Sequence, residues 1–577
     1  MNDPEYISEL QCAFRNGQLF VQWQEKDLPA DARLSVWRSP VPFEGKFPAE
    51  AELLARWLNP GSAGDWWLDI DSFLRPHDEK LKNEEIFAGN AADNVVCTKN
   101  PRGFVIENGG MPLNPDSGLH VHTPRENGWF YYAVAVHSGF DEKILMYSAT
   151  AEPVWCDRGK ITPICFSGKI TENCGKGLPV IIRLHGRGGG VGVDENGNEQ
   201  GTHLFFADET MAWREGIPFK FEIKITADAI ELTPYDRIWT GRIISETESS
   251  DARDHVPAVA TFWLGYNVNI GRSNLGPDFI FDNYTERWIL FLTRWAQDFL
   301  GGDARRTYII GGSMGGTGAV QLITHFPAVF AAAVAWVPIY SYTWKKLPGQ
   351  ETSAWRLTCS GGPFTVENPA VMPDGKNLLE YADAAANIAH PEIDFPPLFA
   401  TNGRQDKAIP WVNNPPFYNA ANDAKQQITV FWNNGGHDMS DQVPDDMRFS
   451  EKELFKYSLD HSFPAFSNCS DNRDFCSGKA DAGWINRGFY WKDIVDEKDS
   501  YEITLQLFHP EIKYPVTVDV TIRRRQNFHP SPGSVLNVFV NGHPRRTVID
   551  ENGVMTIKNI LFASADELKI HCCSCQI

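Results

Sequence analysis

Glycines flank one serine on both sides in the segment Tyr308–Val320. The apolar run Tyr308–Ile310 before them predicts a strand, and the small residues of Gly315–His325 after them predict a helix. Gly311-Gly312-Ser313-Met314-Gly315 between the two fits the pattern Gly-x-Ser-x-Gly. This pattern is typical of a tight strand-to-helix turn in which a larger side chain beside the serine would clash. The segment therefore favours a fold in which strands and helices alternate around a parallel sheet.

Ser313 is a candidate nucleophile, because such a turn pushes its Oγ outward and the following helix N-terminus favours developing negative charge. Two other glycine loops compete with this interpretation. A phosphate-binding loop needs a lysine after its glycines, but Thr317 follows Gly316. A dinucleotide-binding loop needs an acidic residue about 20 positions further on, and Ala331–Trp336 there is apolar.

A second glycine-rich loop begins at His185, after the predicted strand Pro179–Leu184. Backbone N–H groups in such a loop can bind the negative oxygen that forms when a nucleophile attacks a carbonyl. We expect one donor from Met314, directly after the serine, and a second from Arg187 or Gly188. A flexible glycine turn without this role is the alternative.

An acid and a base are predicted at the ends of two later strands. Asp406 follows the apolar run Pro397–Ala400, and His437 follows the run Ile428–Trp432 in a glycine loop. The carboxylate would accept the imidazole Nδ1 proton, and Nε2 would act as general base and then as general acid. An ordinary loop aspartate and a structural loop histidine are the alternatives. Two rival acids lie close to the histidine, Asp438 and Asp441.

The order Ser…Asp…His, each after a strand, resembles the α/β-hydrolase superfamily. The central region is similar to serine esterases grouped with polyhydroxybutyrate depolymerases and carbohydrate esterases, and more distantly to prolyl-oligopeptidase-type hydrolases. The resemblance implies a mostly parallel sheet with helices on both faces. It implies Ser313 as nucleophile, Asp406 as acid and His437 as base, without a metal or organic cofactor. The segment Ile339–Phe395 exceeds what a minimal fold of this kind needs, and a lid or substrate wall is its predicted role.

The hydrophobic pattern changes twice along the chain and predicts three domains. Residues 1–154 contain short alternating runs and resemble a fibronectin type III-like β-sandwich with an enlarged middle section. Residues 155–465 carry the alternating strands and helices of the predicted hydrolase. Residues 466–577 return to alternation after a polar linker, Phe466–Asp481, and predict a second, immunoglobulin-like β-sandwich.

Charge and composition limit which binding partners and which cellular compartment can be expected for this chain. The chain has 53 Lys and Arg against 74 Asp and Glu, a formal net charge of −21, which disfavours nucleic acid and anionic membranes. No run reaches the length of a membrane span, and the first residues do not resemble a signal peptide. The compartment stays open, with a secreted or periplasmic protein whose leader was removed slightly favoured over a cytoplasmic one. His571–Cys575 resembles a metal tract but lacks a second ligand pair, so no metal is predicted.

The sequence indicates less about the substrate than about the reaction. Trp411, Trp336 and Tyr266 are candidate substrate-binding residues, although each type is more often found in a core. Flanking β-sandwiches favour, by analogy, an ester of a polysaccharide or other polymer. The first hypothesis is therefore a serine carboxylic-ester hydrolase. A prolyl-oligopeptidase-type serine peptidase and a non-catalytic binding protein with the same fold are the alternatives.

Overall fold

The computed structural model describes most of the chain. The described residues are 5–15, 17–45, 47–58, 60–63, 111, 113–114, 116–122, 124, 126–139, 141–157, 164–165, 176–187, 202–206, 219–236, 238–239, 258–267, 279–345, 352–439, 442–474 and 480–574.

The strands come in chain order. They are β1 (Ile7–Arg15), β2 (Gln18–Glu25), β3 (Ala32–Ser39), β4 (Glu52–Leu58), β5 (Gly118–His122), β6 (Gly128–Ser138), β7 (Ile144–Ala149), β8 (Val154–Cys156), β9 (Ile164–Cys165), β10 (Pro179–Leu184), β11 (Thr202–Phe206), β12 (Phe219–Ile225), β13 (Ile230–Pro234), β14 (Ile238–Trp239), β15 (Ala258–Val259), β16 (Tyr266–Asn267), β17 (Phe281–Asp282), β18 (Asp303–Gly312), β19 (Ala332–Trp336), β20 (Leu398–Gly403), β21 (Ile428–Asn433), β22 (Phe463–Ser467), β23 (Ala482–Ile485), β24 (Phe489–Asp496), β25 (Ser500–Leu507), β26 (Val516–Arg523), β27 (Val535–Val540), β28 (His543–Val548), β29 (Met555–Phe562) and β30 (Leu568–Ser574).

Helices follow the same order. They are α1 (Tyr284–Phe299), α2 (Met314–His325), α3 (Trp355–Gly361), α4 (Leu378–Tyr381), α5 (Ala384–Ile388), α6 (Asn414–Asp423) and α7 (Glu451–Leu454), with single 3-10 turns at Trp411–Asn413 and Asp445–Met447. Within the described part of the chain, no helix has both the length and the apolar character that crossing a bilayer requires.

The chain divides into two compact units that do not follow its linear order. Unit 1 comprises Met1–Lys176, Gly188–Gly302 and Trp355–Asn377, and unit 2 comprises Gly177–Arg187, Asp303–Ala354 and Leu378–Ile577. The three domain boundaries expected from the sequence stay a prediction.

A parallel sheet forms the centre of unit 2. Its strand order is β23-β21-β20-β19-β18-β10, and the five strands from β10 to β21 run parallel. The register aligns the carboxyl ends of neighbouring strands, because Gly312 pairs with Trp336 and Gly403 pairs with Asn433. The loops that leave these strands therefore start at one edge of the sheet, where ligands bind in open α/β sheets. This arrangement agrees with the expected alternation of strands and helices.

In unit 1, the amino-terminal strands form two antiparallel sheets. One has the order β1-β2-β5 and the other the order β4-β3-β6-β7, with β8 also paired to β6. Both sheets contribute to one apolar core, which includes Val21, Trp23, Val36 and Val134. The two sheets thus face each other as a sandwich, and its fibronectin-like type stays a prediction. Within this unit, strands β13, β12, β11 and β9 pair antiparallel in that order.

The carboxyl-terminal strands of unit 2 also form two antiparallel sheets. Their orders are β22-β26-β29 and β24-β25-β30-β27-β28, and both contribute to one core around Ile503, Val518, Val538 and Ile560. The four-residue strand β23 does not join either sheet. It pairs antiparallel with β21, at the edge of the parallel sheet.

Candidate active site

The turn around Ser313 has the geometry that the glycine pattern predicts. Strand β18 ends at Gly312, helix α2 begins at Met314, and Ser313 between them has φ 58° and ψ −118°. A Cβ on Gly315 would lie 2.0 Å from the carbonyl oxygen of Leu184, and one on Gly311 would lie 2.2 Å from the carbonyl carbon of Gly315. Only glycine allows strand and helix to approach this closely. The strained serine backbone is therefore imposed by the packing around it.

A continuous chain of hydrogen bonds joins the three residues predicted as nucleophile, base and acid. Nε2 of His437 lies 2.9 Å from Oγ of Ser313, and Nδ1 of His437 lies 2.7 Å from Oδ2 of Asp406. An ionised carboxylate only accepts hydrogen bonds, so Nδ1 then carries the imidazole proton and Nε2 accepts from the serine hydroxyl. This is the protonation state in which a histidine can remove a proton from a serine.

The loop after β20 holds the carboxylate of Asp406 in a buried position. Its side chain is only 1% exposed, whereas that of His437 is 41% exposed. Oδ1 accepts from the backbone N–H groups of Ala408 at 2.7 Å and Ile409 at 2.9 Å. These two bonds leave Oδ2 to face the imidazole. Of the rival acids, Asp438 is exposed and is not the partner of Nδ1, and Asp441 lies outside the described residues.

The loops that carry the acid and the base are bonded to each other through their backbones. Arg404 N–H donates to the carbonyl of Asn433 at 2.8 Å, and Gln405 N–H donates to the carbonyl of Gly435 at 3.1 Å. Both bonds lie beyond or at the paired ends of β20 and β21, so they continue the sheet toward the site. The relative position of Asp406 and His437 is thus fixed by main-chain contacts as well as by their own hydrogen bond.

Next to the acid loop in the chain, Asn402 is the centre of a buried group of hydrogen-bonded polar side chains, here called the polar node. It was not predicted from the sequence. Oδ1 of Asn402, the residue before Gly403, accepts from the hydroxyls of Tyr340 at 3.1 Å and Tyr418 at 2.9 Å. Burial raises the pKa of Tyr340, which keeps its hydroxyl protonated as a donor. The node joins the loop after β19 and helix α6 to the end of β20. The sequence indicates this node only through Asn402, a polar residue that directly follows an otherwise mostly apolar stretch.

The predicted oxyanion loop passes beside the serine. A Cβ built on Gly186 would lie 3.7 Å from Cβ of Ser313, and the ring of His185 contacts the Gly186 carbonyl at 2.7 Å through Nδ1. Met314 is the first residue of α2, and the first N–H groups of a helix have no partner within it. Arg187 is described and half-buried, whereas Gly188 lies outside the described residues. The sequence did not single out Gly186, which is the loop residue placed next to Ser313.

The three candidate substrate-binding residues differ in their surroundings. Trp336 is half-buried at the end of β19, its carbonyl accepts the N–H of Ser313 at 2.7 Å, and its Cε3 lies 3.8 Å from where a Cβ on Gly312 would be. The ring of Trp411, also half-buried, packs on Trp432 with centroids 5.8 Å apart. Tyr266 belongs to unit 1, where it is fully buried. Only Trp336 is therefore placed beside the serine by these contacts.

One family model covers the segment that holds these residues. Residues 289–449 match the prolyl oligopeptidase family. The match spans less than half of the chain and includes Ser313, Asp406 and His437. It supports a serine hydrolase of the α/β-hydrolase superfamily, without deciding between ester and peptide substrates.

A comparison with solved structures also gave matches, at low identity and low TM-score. An S-formylglutathione hydrolase from Agrobacterium tumefaciens is 14% identical, with 54% of this chain and 83% of that chain covered and a TM-score of 0.29. Thermogutta terrifontis esterase 2 is 14% identical in its apo form, with 48% and 80% covered and a TM-score of 0.25. Pyrococcus horikoshii acylaminoacyl peptidase is 13% identical, with 59% and 51% covered and a TM-score of 0.29. Because these TM-scores are low, the description of the fold depends on the strand pairing of this chain and not on these matches. No curated protein matches the sequence.

Proposed function

We propose that this protein is a serine carboxylic-ester hydrolase. The observation that carries the proposal is the unbroken chain of hydrogen bonds from Ser313 through His437 to Asp406. Each of its members has the neighbours that its role requires: a strained turn for the nucleophile, a partly exposed imidazole for the base, and a buried carboxylate held by two backbone N–H groups.

The proposed reaction has two halves. Oγ of Ser313 attacks the ester carbonyl while Nε2 of His437 takes the hydroxyl proton, and the alcohol leaves with that proton as the acyl-enzyme forms. Water then attacks the acyl-enzyme, giving a proton to Nε2, and the acid product leaves as the proton returns to Oγ. In each half, the negative oxygen is bound by the N–H of Met314 and by a donor of the loop containing Arg187 and Gly188. No cofactor takes part in these steps.

The proposed substrate is an ester carried by a polysaccharide or another polymer. The half-buried ring of Trp336, next to Gly312 in the turn that carries Ser313, offers a flat apolar surface to an aromatic acyl group or a sugar ring. The acidic chain favours a substrate that is neutral or cationic near the site. The two sandwiches support a polymer by analogy with other hydrolases.

A prolyl-oligopeptidase-type peptidase is the second candidate, and the family match over residues 289–449 favours it. Members of that family usually carry a β-propeller, and the sequence contains no repeat of blade length. The same three residues would act on a peptide bond, so the site geometry does not separate the two candidates. The two candidate functions differ only in the leaving group that the protein prefers.

Hydrolysis of p-nitrophenyl acetate by the wild type and by Ser313→Ala tests the proposal. We expect turnover in the wild type and none above background in the variant, with equal thermal stability. A folded wild type without turnover would favour the third hypothesis, a non-catalytic binding protein. A panel of acetylated xylan, feruloyl and glucuronoyl esters, polyhydroxybutyrate and prolyl peptides then separates esterase from peptidase.

A further inference from the structure

A segment from the carboxyl-terminal region lies against both loops that carry the proposed acid and base. We call Asp474 together with Ala480–Ile485 the anchor segment. Its strand β23 pairs antiparallel with β21, with Ala482 opposite Asn433 and Gly483 opposite Trp432. This pairing brings the residues just before β23 to the end of β21, where the histidine loop begins.

The acid loop is bound to the anchor segment through Arg404, two residues before Asp406. Nη1 of Arg404 donates to the carbonyl of Ala480 at 2.7 Å, and lies 4.0 Å from Oδ2 of Asp474. The Asp474 side chain is 5% exposed, and its Oδ2 accepts the N–H of Ala480 at 2.9 Å. The guanidinium thus binds the carbonyl of a residue whose N–H donates to a buried carboxylate, so both backbone polar groups of Ala480 are held at this contact.

The histidine loop is bound to the same segment through Asn434, three residues before His437. Nδ2 of Asn434 donates to Oδ1 of Asp481 at 2.7 Å. Asp481 is the residue directly after Ala480, which accepts from Arg404. Two consecutive anchor residues therefore bind side chains from the two loops whose relative position sets the distance from His437 to Asp406.

We infer that Arg404 and Asn434 are positioning residues, and that the carboxyl-terminal region, through the anchor segment, holds the acid and base loops in their working arrangement. The inference rests on the proposed function of Ser313, His437 and Asp406. The side-chain contacts given above for Arg404 and Asn434 are with the anchor segment and not with the reacting atoms. Their effect follows from geometry, because a displacement of about 1 Å in a catalytic group can cost about 100-fold in rate.

A double-mutant cycle on the histidine loop gives the sharper test. Asn434→Ala and Asp481→Ala each remove one side of the same hydrogen bond, so we expect each to lower kcat for p-nitrophenyl acetate by about tenfold, with little change in KM. The double variant should be no slower than either single variant, because the bond is already lost. Additive losses, or wild-type kcat in both single variants, would overturn the inference for this loop.

Arg404→Lys and Arg404→Met test the acid loop in the same assay. We expect the methionine variant to lose kcat by about tenfold or more, and the lysine variant to recover part of it by donating to the Ala480 carbonyl. Equal losses in both variants, accompanied by equal losses of thermal stability, would indicate a structural role and contradict positioning.

Asn422→Ala is the matched control. Nδ2 of Asn422 donates to Oδ1 of Asn468 at 3.1 Å, so it also joins the parallel-sheet part of unit 2 to the carboxyl-terminal region, but away from the two loops. We expect its kcat to equal that of the wild type. A loss as large as that of Asn434→Ala would mean that any such bond has the same effect, which would overturn the inference.

A second readout separates failure of this inference from failure of the proposed function. The proton on Nδ1 of His437, bonded to Asp406, is observable by NMR without any substrate. We expect its resonance in the wild type and in Asn422→Ala, and its loss or broadening in Asn434→Ala. If the wild type hydrolyses no substrate, the proposed function fails, and this resonance alone decides whether Asn434 positions the imidazole. An unchanged resonance in Asn434→Ala would contradict positioning.

Discussion

Trp336 accepts the backbone N–H of Ser313 at 2.7 Å through its carbonyl oxygen, while its ring lies next to Gly312 of the same turn. One residue therefore contacts the turn that carries the candidate nucleophile in two ways, at Ser313 through its backbone and at Gly312 through its ring. The main-chain bond ties the strained turn to the neighbouring strand β19, and the side chain borders the site. A substitution at this position removes the second contact and keeps the first.

Trp336→Ala is expected to change selectivity among esters. The loss of an aromatic contact worth about 1 kcal/mol should lower kcat/KM for an aromatic acyl ester by about fivefold, and change that for an acetyl ester much less, because the smaller group does not reach the ring. Steady-state kinetics on the two esters measure the difference. Trp411→Ala serves as the control, since its ring packs on Trp432 and Tyr418 and should mainly contribute to stability. Equal losses for both esters in Trp336→Ala would contradict a substrate-binding role.

Asp406→Asn is expected to lower kcat by about 10³ to 10⁴. The asparagine oxygen can still accept from Ala408 and Ile409, but its NH₂ group then faces His437 and favours the tautomer in which Nε2 carries the proton. That tautomer cannot accept from Ser313. Turnover measured beside a thermal melt should show the loss of rate with little loss of stability. Asp438→Asn should behave as the wild type, and the opposite result would reassign the acid.

Gly315→Ala is expected to destabilise the protein strongly. The added Cβ would lie 2.0 Å from the backbone oxygen of Leu184, and a backbone atom in a packed sheet cannot move aside as a flexible side chain can. We expect a loss of about 3 kcal/mol or more in the free energy of unfolding, measured by denaturant titration. Gly436→Ala is the control, because its Cβ would meet nothing within 4 Å. Similar stability in the two variants would mean that strand β10 and helix α2 are less closely packed than described.

Asp303→Asn is expected to change how stability depends on pH. Burial raises the pKa of Asp303, but hydrogen bonds from Arg306 and Arg305 outweigh it and hold the pKa below its usual value. A carboxyl whose pKa is lower in the folded state contributes stability above its unfolded-state value, near 4, and loses it as the pH falls through the folded-state value.

Unfolding titrations between about pH 2 and pH 7 check this expectation, since they bracket the usual carboxyl pKa near 4. The wild type should lose more free energy of unfolding than Asp303→Asn as the pH falls below 4. Asp298→Asn, in the exposed pair with Arg294, should follow the wild type closely. Parallel curves for the wild type and Asp303→Asn would show that the ion pairs contribute no net stability.

Local sequence was enough to predict the elements that hold the candidate site. The apolar run Pro179–Leu184 is strand β10 with those same bounds, and the runs Pro397–Ala400 and Ile428–Trp432 largely coincide with β20 and β21, because each is a short apolar run. Ser313, Asp406 and His437 could be selected because each follows such a run. Parallel strands then place their ends at one edge without any knowledge of the long-range contacts.

The contacts between distant segments could not be predicted in this way. The stretch Phe466–Asp481 was predicted as a linker from its polar composition, yet Phe466 and Ser467 belong to β22, and Ala480 and Asp481 bind the two loops. Strand β23 has four residues with a glycine among them, too short for an alternating pattern to be recognised. Arg404 and Ala480 are 76 residues apart, and a loop arginine gives no sign of such a partner.

Strand β23 also determines how this chain could be shortened. It covers the outer side of β21, and without it the N–H and C=O groups of β21 would form an open edge on a sheet whose strand residues are buried. Open edges of this kind pair with strands of other molecules. We therefore expect a chain that lacks the carboxyl-terminal region to self-associate, because β23 covers the edge of the parallel sheet through which copies could pair.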